Sequence, residues 1–440
     1  MSPRILSPRL LVAAALLLLP ATGPAQEAEQ LAGFTVASQP GQTRLAIAVP
    51  KPVGGAAESA EFYEVLARDL ELCGWFTVLR PEAYIEPNGT GVAPGQFKYE
   101  DWDVVGAAVL GKTTLTNNGG RLTSEVWVYD VPGRRKLDAR SFSGAATSSR
   151  VLAHKAANAI IFAVTGKQGP FNTRFAVAGA FGKNRNKEIY TVDFDGHGLS
   201  AVTKNGSINL QPAWDPTASR IAFTSYLSGN PDLYIADLGK GRITRVSARS
   251  GLNTGGSFSP RGGLLAITLS PGGDPDLFTI DPTTGAEVGR LTRSPGIDVS
   301  ASWSPDGSQF AFVSDRTGSP QIYIANADGS GARRVSFQGG QNTDPAWSPD
   351  GSKIAYVSRD GGFDIFTVNV DGTGVTRITQ SKGDNEDPSW SPDGYYIAFS
   401  STRTGSAHIW MSTADGAYQV QLTKGGGGYT NPVWSPALAW

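Results

Sequence analysis

The sequence is poor in the residues from which most metal and nucleophile sites are made. It has one cysteine, three histidines and two methionines in 440 residues. A lone Cys73 rules out an intramolecular disulfide, so stability must come from burial. His154, His197 and His408 lie far apart, without ligand spacing to cysteine or carboxylates, so a zinc site is not expected. No G-x-S-x-G nucleophile elbow occurs. The charges nearly cancel, 38 Lys and Arg against 39 Asp and Glu, which leaves no basic footprint for nucleic acid. The apolar run Leu10–Leu19 is too short to span a bilayer. With Arg4 and Arg9 before it and small residues after it, the run has the layout of a secretory leader over residues 1–25. Cleavage is expected after Ala25, making Gln26 the first mature residue, with Ala21 as the alternative. No cysteine stands there to take a lipid.

What the chain has in quantity is Gly, 54 residues, and Pro, 28 residues, on a 40% hydrophobic background. Both fall into a repeat. Asp387-Pro388-Ser389-Trp390-Ser391-Pro392-Asp393-Gly394 recurs as Asp344-Pro345-Ala346-Trp347-Ser348-Pro349-Asp350-Gly351, and more loosely elsewhere. The anchoring aromatics are Trp214, Phe258, Trp303, Trp347, Trp390 and Trp434, spaced 44, 45, 44, 43 and 44 residues apart. Each unit reads as strands. A Pro-Asp-Gly turn is followed by an alternating run such as Ile354-Ala355-Tyr356-Val357, then a second apolar run, an Asp-Gly hairpin turn and a short last strand. Four strands at this period describe a propeller blade, and six units a six-bladed ring. The anchors are expected to pack between blades. The first unit lacks a strand before Arg174 and the last stops near Trp434, so residues 429–436 should close the ring as the inner strand of blade one.

Residues 43–171 read as a small α/β domain. Arg44–Val49 alternates as a strand. Phe62, Leu66, Leu70 and Cys73 keep helical spacing up to Gly74, which makes Cys73 a core thiol. Trp75–Leu79 returns as a strand. Val104–Leu115 and Leu122–Tyr129 form a hairpin about Asn117-Asn118-Gly119-Gly120, and residues 149–164 a second helix. Gly106-Ala107-Ala108-Val109-Leu110-Gly111-Lys112-Thr113 fits the phosphate-loop pattern. Its intervening residues continue a strand, however, and a hairpin rather than a helix follows, so nucleotide binding is not expected. Lys112 is placed at the strand's end, where alanine should cost little. Asp193-Phe194-Asp195-Gly196 occupies the place of the repeats' Asp-Gly turn and offers too few oxygens for calcium. Residues 26–42 form an N-terminal arm, either frayed or able to pair with a sheet edge of its own chain or of a partner.

A leader, a small α/β domain and six blades (172–440) of the D-P-x-W-S-P-D-G type resemble the TolB family, periplasmic components of the Tol-Pal system. The domain junction, Val164-Thr165-Gly166 through Gly169, Phe171, Thr173 and Arg174, is similar to the family's L-T-G-x-x-G-x-F-x-T-R. Asn431-Pro432-Val433-Trp434-Ser435-Pro436 resembles its closing P-A-W-S-P. The resemblance implies a non-enzymatic adaptor without a cofactor, exported to the periplasm. It would link the Pal lipoprotein to TolA and keep the outer membrane attached and drawn in during division. Other outer-membrane proteins are further candidate partners, and direct membrane insertion is not implied. The positions just before each anchor would face Pal: Asn209 and Gln211, Asn253 and Thr254, Asp298 and Ser300, Asn342 and Asp344, Glu386 and Asp387, and Asn431. Blade three departs from its sisters, having Gly255-Gly256 where others have Asp-Pro and Arg261 where others have Asp. Glu29, Leu31, Phe34 and Val36 of the arm would meet TolA. The alternative reading is an exported propeller enzyme, a metal-assisted hydrolase whose carboxylates Asp298, Asp344 and Asp387 converge on the axis.

Overall fold

Twenty-four strands in six four-stranded antiparallel sheets make up the C-terminal part of the computed structural model, which describes residues 29–31, 34–36, 40–41, 43–181, 186–380, 382–426 and 428–438. The expected leader and its cleavage site lie outside the described residues. Each sheet is one blade, and its strands follow in chain order from the axis outwards. In blade five, for example, these are Gln341–Trp347, Lys353–Arg359, Phe363–Asn369 and Thr376–Arg377. Blade one is the exception. Its inner strand is Tyr429–Trp434, paired antiparallel with Arg174–Gly179, so the two ends of the propeller segment share one sheet.

The anchors end the six inner strands and are all buried. Their polar edges tie one blade to the next. The indole N–H groups of Trp214, Trp303 and Trp390 donate to the carbonyls of Val433, Ser257 and Ala346, each one residue before the preceding blade's anchor, at 3.0–3.1 Å. Trp347 instead donates to Gly351 in its own turn, and Trp434 to Thr173 Oγ1. Serines also join blades, with Ser302 Oγ accepting from the Trp347 amide and Ser389 Oγ from the Trp434 amide. A buried aromatic whose N–H also finds an acceptor fixes both packing and blade angle.

In the α/β domain a five-stranded sheet runs in the order Phe76–Val78, Leu45–Ala48, Val109–Asn118, Arg121–Asp130, Arg135–Ala145. The first three strands are parallel and the last three antiparallel. Helices α1 (Ser59–Leu72) and α3 (Ser149–Thr165) cover one face, and each is stopped by a glycine at positive φ, Gly74 and Gly166. Cys73, just past α1, is buried; its Sγ contacts the Leu70 carbonyl at 3.1 Å, and burial pushes its thiol up to about 12. The thiol is inert.

Two expectations fail here, and one strand was not expected at all. Val104–Leu115 is not one strand: Tyr99–Val104 is a short helix, α2, broken from the next strand by Gly106 at φ 78°. The outer strand Arg135–Ala145 has no fully buried residue and so no alternation to read. Lys112 lies in mid-strand opposite Trp127, only 1% exposed, with its ammonium on the Glu86 carboxylate and over the Phe97 and Trp102 rings. This buried pair pins residues 79–108 across the sheet's second face, so removing the lysine cannot be neutral.

The two domains share one core. Cys73, Trp75 and Ile160 belong to the same buried cluster as Phe171, Tyr396, Met411 and Trp434. Tyr396 Oη donates to the Cys73 carbonyl at 2.6 Å, and Tyr418 Oη to that of Glu71 at 3.1 Å. Arg68 reaches the carbonyls of Asp195 and Leu422. Beside these lies a buried charged group in which His154 Nδ1 meets Asp69 at 2.6 Å and Arg150 meets Asp195 at 2.7 Å. Tyr396 and Trp434 stand at the anchor end of blades six and one, so the α/β domain packs on that end of the ring. The arm strands Glu29–Leu31 and Phe34–Val36 pair with each other in their own two-stranded sheet, and among the described residues with no other sheet.

Candidate functional site

Every inner strand carries a β-bulge three residues before its anchor. The ladder register shifts between Leu210 and Ala213, Thr254 and Ser257, Val299 and Ser302, Thr343 and Ala346, Glu386 and Ser389, and Thr430 and Val433. The extra residue is left-handed in all six: Gln211, Gly255, Ser300, Asp344, Asp387 and Asn431 have φ between 50° and 63°. A bulge re-aims its side chain out of the sheet, and six in register around an axis make a ring. These six residues line one cavity of about 160 Å³ at the mouth remote from the α/β domain. A second cavity of about 430 Å³, lined by the anchors and the prolines after them, opens at the other end.

The structure divides the eleven positions expected at this mouth. Gln211, Thr254, Ser300, Asp344, Asp387 and Asn431 line the cavity, and Glu386 is half-buried beside them. Asn209, Asn253, Asp298 and Asn342 instead turn into their own blades. They are at most 1% exposed and hold their own blades together. Asn209 Nδ2 donates to the Lys187 carbonyl at 3.1 Å, and Asn253 Oδ1 accepts from Ser247 at 2.6 Å. Asp298 pairs with Arg316 at 3.1 Å, and Asn342 Nδ2 donates to Gln321 Oε1 at 2.6 Å. The bulge separates the two groups: plain alternation would keep residues two apart on one face, and the extra left-handed residue turns the second of each pair to the axis. Of the three carboxylates expected to converge, Asp298 is therefore absent from the axis. Gly255 was missed as a ring member. A signal for it exists, because four of the six residues three before an anchor are Gly, Asp or Asn, the types that tolerate left-handed backbone.

The ring is wired from blade to blade. Asp387 accepts from the Asn431 amide at 2.9 Å and from Asn431 Nδ2 at 2.8 Å. Gln211 Oε1 accepts from the Gly255 amide at 3.2 Å. Asp344 accepts from Thr343 Oγ1. Its burial, together with the Asp387 and Glu386 charges, pushes its carboxyl up to about 7, and burial with Asp387 also raises Glu386. Blades five and six thus give the mouth an acidic sector that ionises incompletely near neutrality. Around the rim, Ile208, Tyr226, Leu227 and Ile297 are exposed. Among the described residues no cluster of three or more His, Cys, Asp or Glu has the arrangement of a metal site.

Residues 162–438 match the family model described as the TolB beta propeller domain, and residues 36–137 the TolB amino-terminal domain. The chain belongs to the TolB family. The Tol-Pal system protein TolB of Bordetella pertussis is 32% identical over 321 residues, 72% of each chain. That of Geobacter sulfurreducens is 39% identical over 210 residues, which is 47% of this chain and 48% of the relative. The crystal structure of TolB from Acinetobacter baumannii superposes with a TM-score of 0.80 at 28% identity, covering 91% of this chain and 98% of that one. The family's two-domain layout is therefore the layout seen here. Among the described residues no helix is long and apolar enough to cross a membrane.

Proposed function

We propose that this member of the family is a non-enzymatic periplasmic adaptor that binds the Pal lipoprotein at the bulge-lined mouth and TolA through its N-terminal arm. So placed, it helps to keep the outer membrane attached and drawn in at division. The observation that carries the reading is the ring of six left-handed positions at the mouth remote from the α/β domain. It presents Gln211, Ser300, Asp344, Asp387 and Asn431 as one polar surface with an acidic sector. Such a surface suits hydrogen bonds and Lys or Arg from a protein, and a cavity of about 160 Å³ is small for a cofactor. The arm carries Glu29, Leu31, Phe34 and Val36 in two three-residue strands that among the described residues pair with each other, and such an extended segment suits strand addition to TolA.

Titration of each partner against variants at fixed salt tests this division. Asp344→Ala with Glu386→Ala should weaken Pal by roughly tenfold or more and spare TolA. Deleting residues 26–38 should do the reverse. Unchanged Pal affinity in the double variant would move the lipoprotein to another face. A hydrolase reading draws on Asp344 and Asp387, two carboxylates of unequal environment in one channel. A hydrolytic activity abolished by Asp344→Asn would replace the adaptor.

A further inference from the structure

Among the described residues, the mouth cavity reaches past the inner strands at blade three. That blade alone contributes residues from its second and third strands to the lining: Ala266, Ile267, Thr268 and Leu277. The cause is Gly255-Gly256. In blades two, five, six and one the residue after the bulge is a buried proline, Pro212, Pro345, Pro388 or Pro432, which plugs the equivalent space.

Neither glycine is required by the backbone or by packing. The sister positions hold φ 50–57° with Gln, Ser, Asp and Asn, so the 63° of Gly255 does not demand glycine. A Cβ at Gly255 would meet nothing within 4 Å, and one at Gly256 would meet Ala222 at 3.4 Å, an ordinary contact. Glycine weakens a strand and is at home where another group approaches closely. Ala266, Ile267 and Leu277 are at most 1% exposed and give the recess a mostly apolar wall, with the buried Thr268 as its one hydroxyl side chain. Asp344 lines the same cavity, so an apolar side chain in the recess would stand in one space with the carboxylate.

We propose that the Gly255-Gly256 recess is a specificity pocket for a protein loop inserted into the mouth, taking one apolar side chain while a neighbouring Lys or Arg of that loop meets Asp344. This rests on the reading of the mouth as the Pal-binding face and adds which residue pair the partner must bring. The cation answers the acidic sector, and the apolar group answers a wall whose side chains are apolar save for Thr268.

The test restores the sister repeat. Gly255→Asn with Gly256→Pro copies Asn431-Pro432, adds no charge and plugs the recess with groups that blade one already accommodates. The probe is the water-soluble domain of the Pal lipoprotein from the same cell, titrated calorimetrically. The plugged variant should bind at least tenfold more weakly and melt no lower than the parent. Gly256→Ala, which only narrows the recess, should fall between them and serves if the double change disturbs folding. Unchanged affinity in both glycine variants, with loss in Asp344→Ala/Glu386→Ala, would overturn the pocket and leave the mouth as the binding face. Unchanged affinity in all three would overturn both.

Discussion

Asp344 is held in left-handed backbone at φ 51°, where burial and its acidic neighbours resist ionisation. An acid whose pKa rises on folding, here from 3.8 to about 7, stabilises the fold while it keeps its proton. That contribution is complete below about pH 4, is lost as pH climbs to about 7 and is absent above. Asp344→Asn should therefore raise stability at pH 8, by about 1–2 kcal/mol after solvent screening, and change little at pH 4. Melting curves of the two proteins across this range measure the difference. A partner cation favours the ionised form, so Pal affinity should rise from pH 6 to pH 8 in the parent and lose that slope in the variant. Lys112 makes the opposite point about a buried charge. Lys112→Ala leaves the Glu86 carboxylate, 5% exposed, without its cation, and should cost about 3–5 kcal/mol. Adding Glu86→Gln should recover part of that loss, as denaturant titration of both variants would reveal.

Among the elements, the closing strand has the largest consequence. Tyr429–Trp434 pairs with Arg174–Gly179, and Trp434 packs on Phe175 with centroids 4.7 Å apart while donating to Thr173. Ending the chain at Gly428 would remove this ladder, bare the edge of Arg174–Gly179 and take an anchor from the core shared with the α/β domain. The truncated protein should lose its cooperative melt and associate. A monomeric protein melting at the parent temperature would contradict ring closure by this strand. The short α2 helix shows where pattern reading fails at this scale. The apolar run from Val104 imitates a strand, although Glu100 and Asp101 in the preceding turn are the acidic residues expected at a helix start. Gly106 separates the two.

For the whole molecule, the junction determines whether two domains behave as one. Arg150 on α3 meets Asp195 in blade one at 2.7 Å. Burial opposes ionisation of Asp195, but the Arg150 guanidinium and His154 outweigh it and hold the carboxyl below the usual range. Stability from such a depressed acid is present above its ordinary pKa and lost as pH falls through the depressed value. Arg150→Ala should therefore cost about 1–3 kcal/mol at pH 7 and less in strong acid. Calorimetry should show one transition in the parent and separated α/β and propeller transitions in the variant. An unsplit, unshifted transition would assign the cooperativity to the apolar core alone.

The sequence by itself determined the number of blades, the place of every anchor and the family, because a 44-residue period with fixed turn residues repeats one solution six times. It also determined that a strand must return to close the ring, since blade one is short of one. It did not separate Asn209, Asn253, Asp298 and Asn342 from Gln211, Ser300, Asp344 and Asp387. Those residues differ by two positions in a run that looks uniformly polar. Only the bulge in each inner strand, a matter of backbone register between paired strands, turns the second set to the axis while the first stays in its blade. Nor could it place Glu86 on Lys112, 26 residues away, or Arg150 on Asp195, 45 residues away. Such pairings arise from how separate elements pack, and local pattern carries no trace of them.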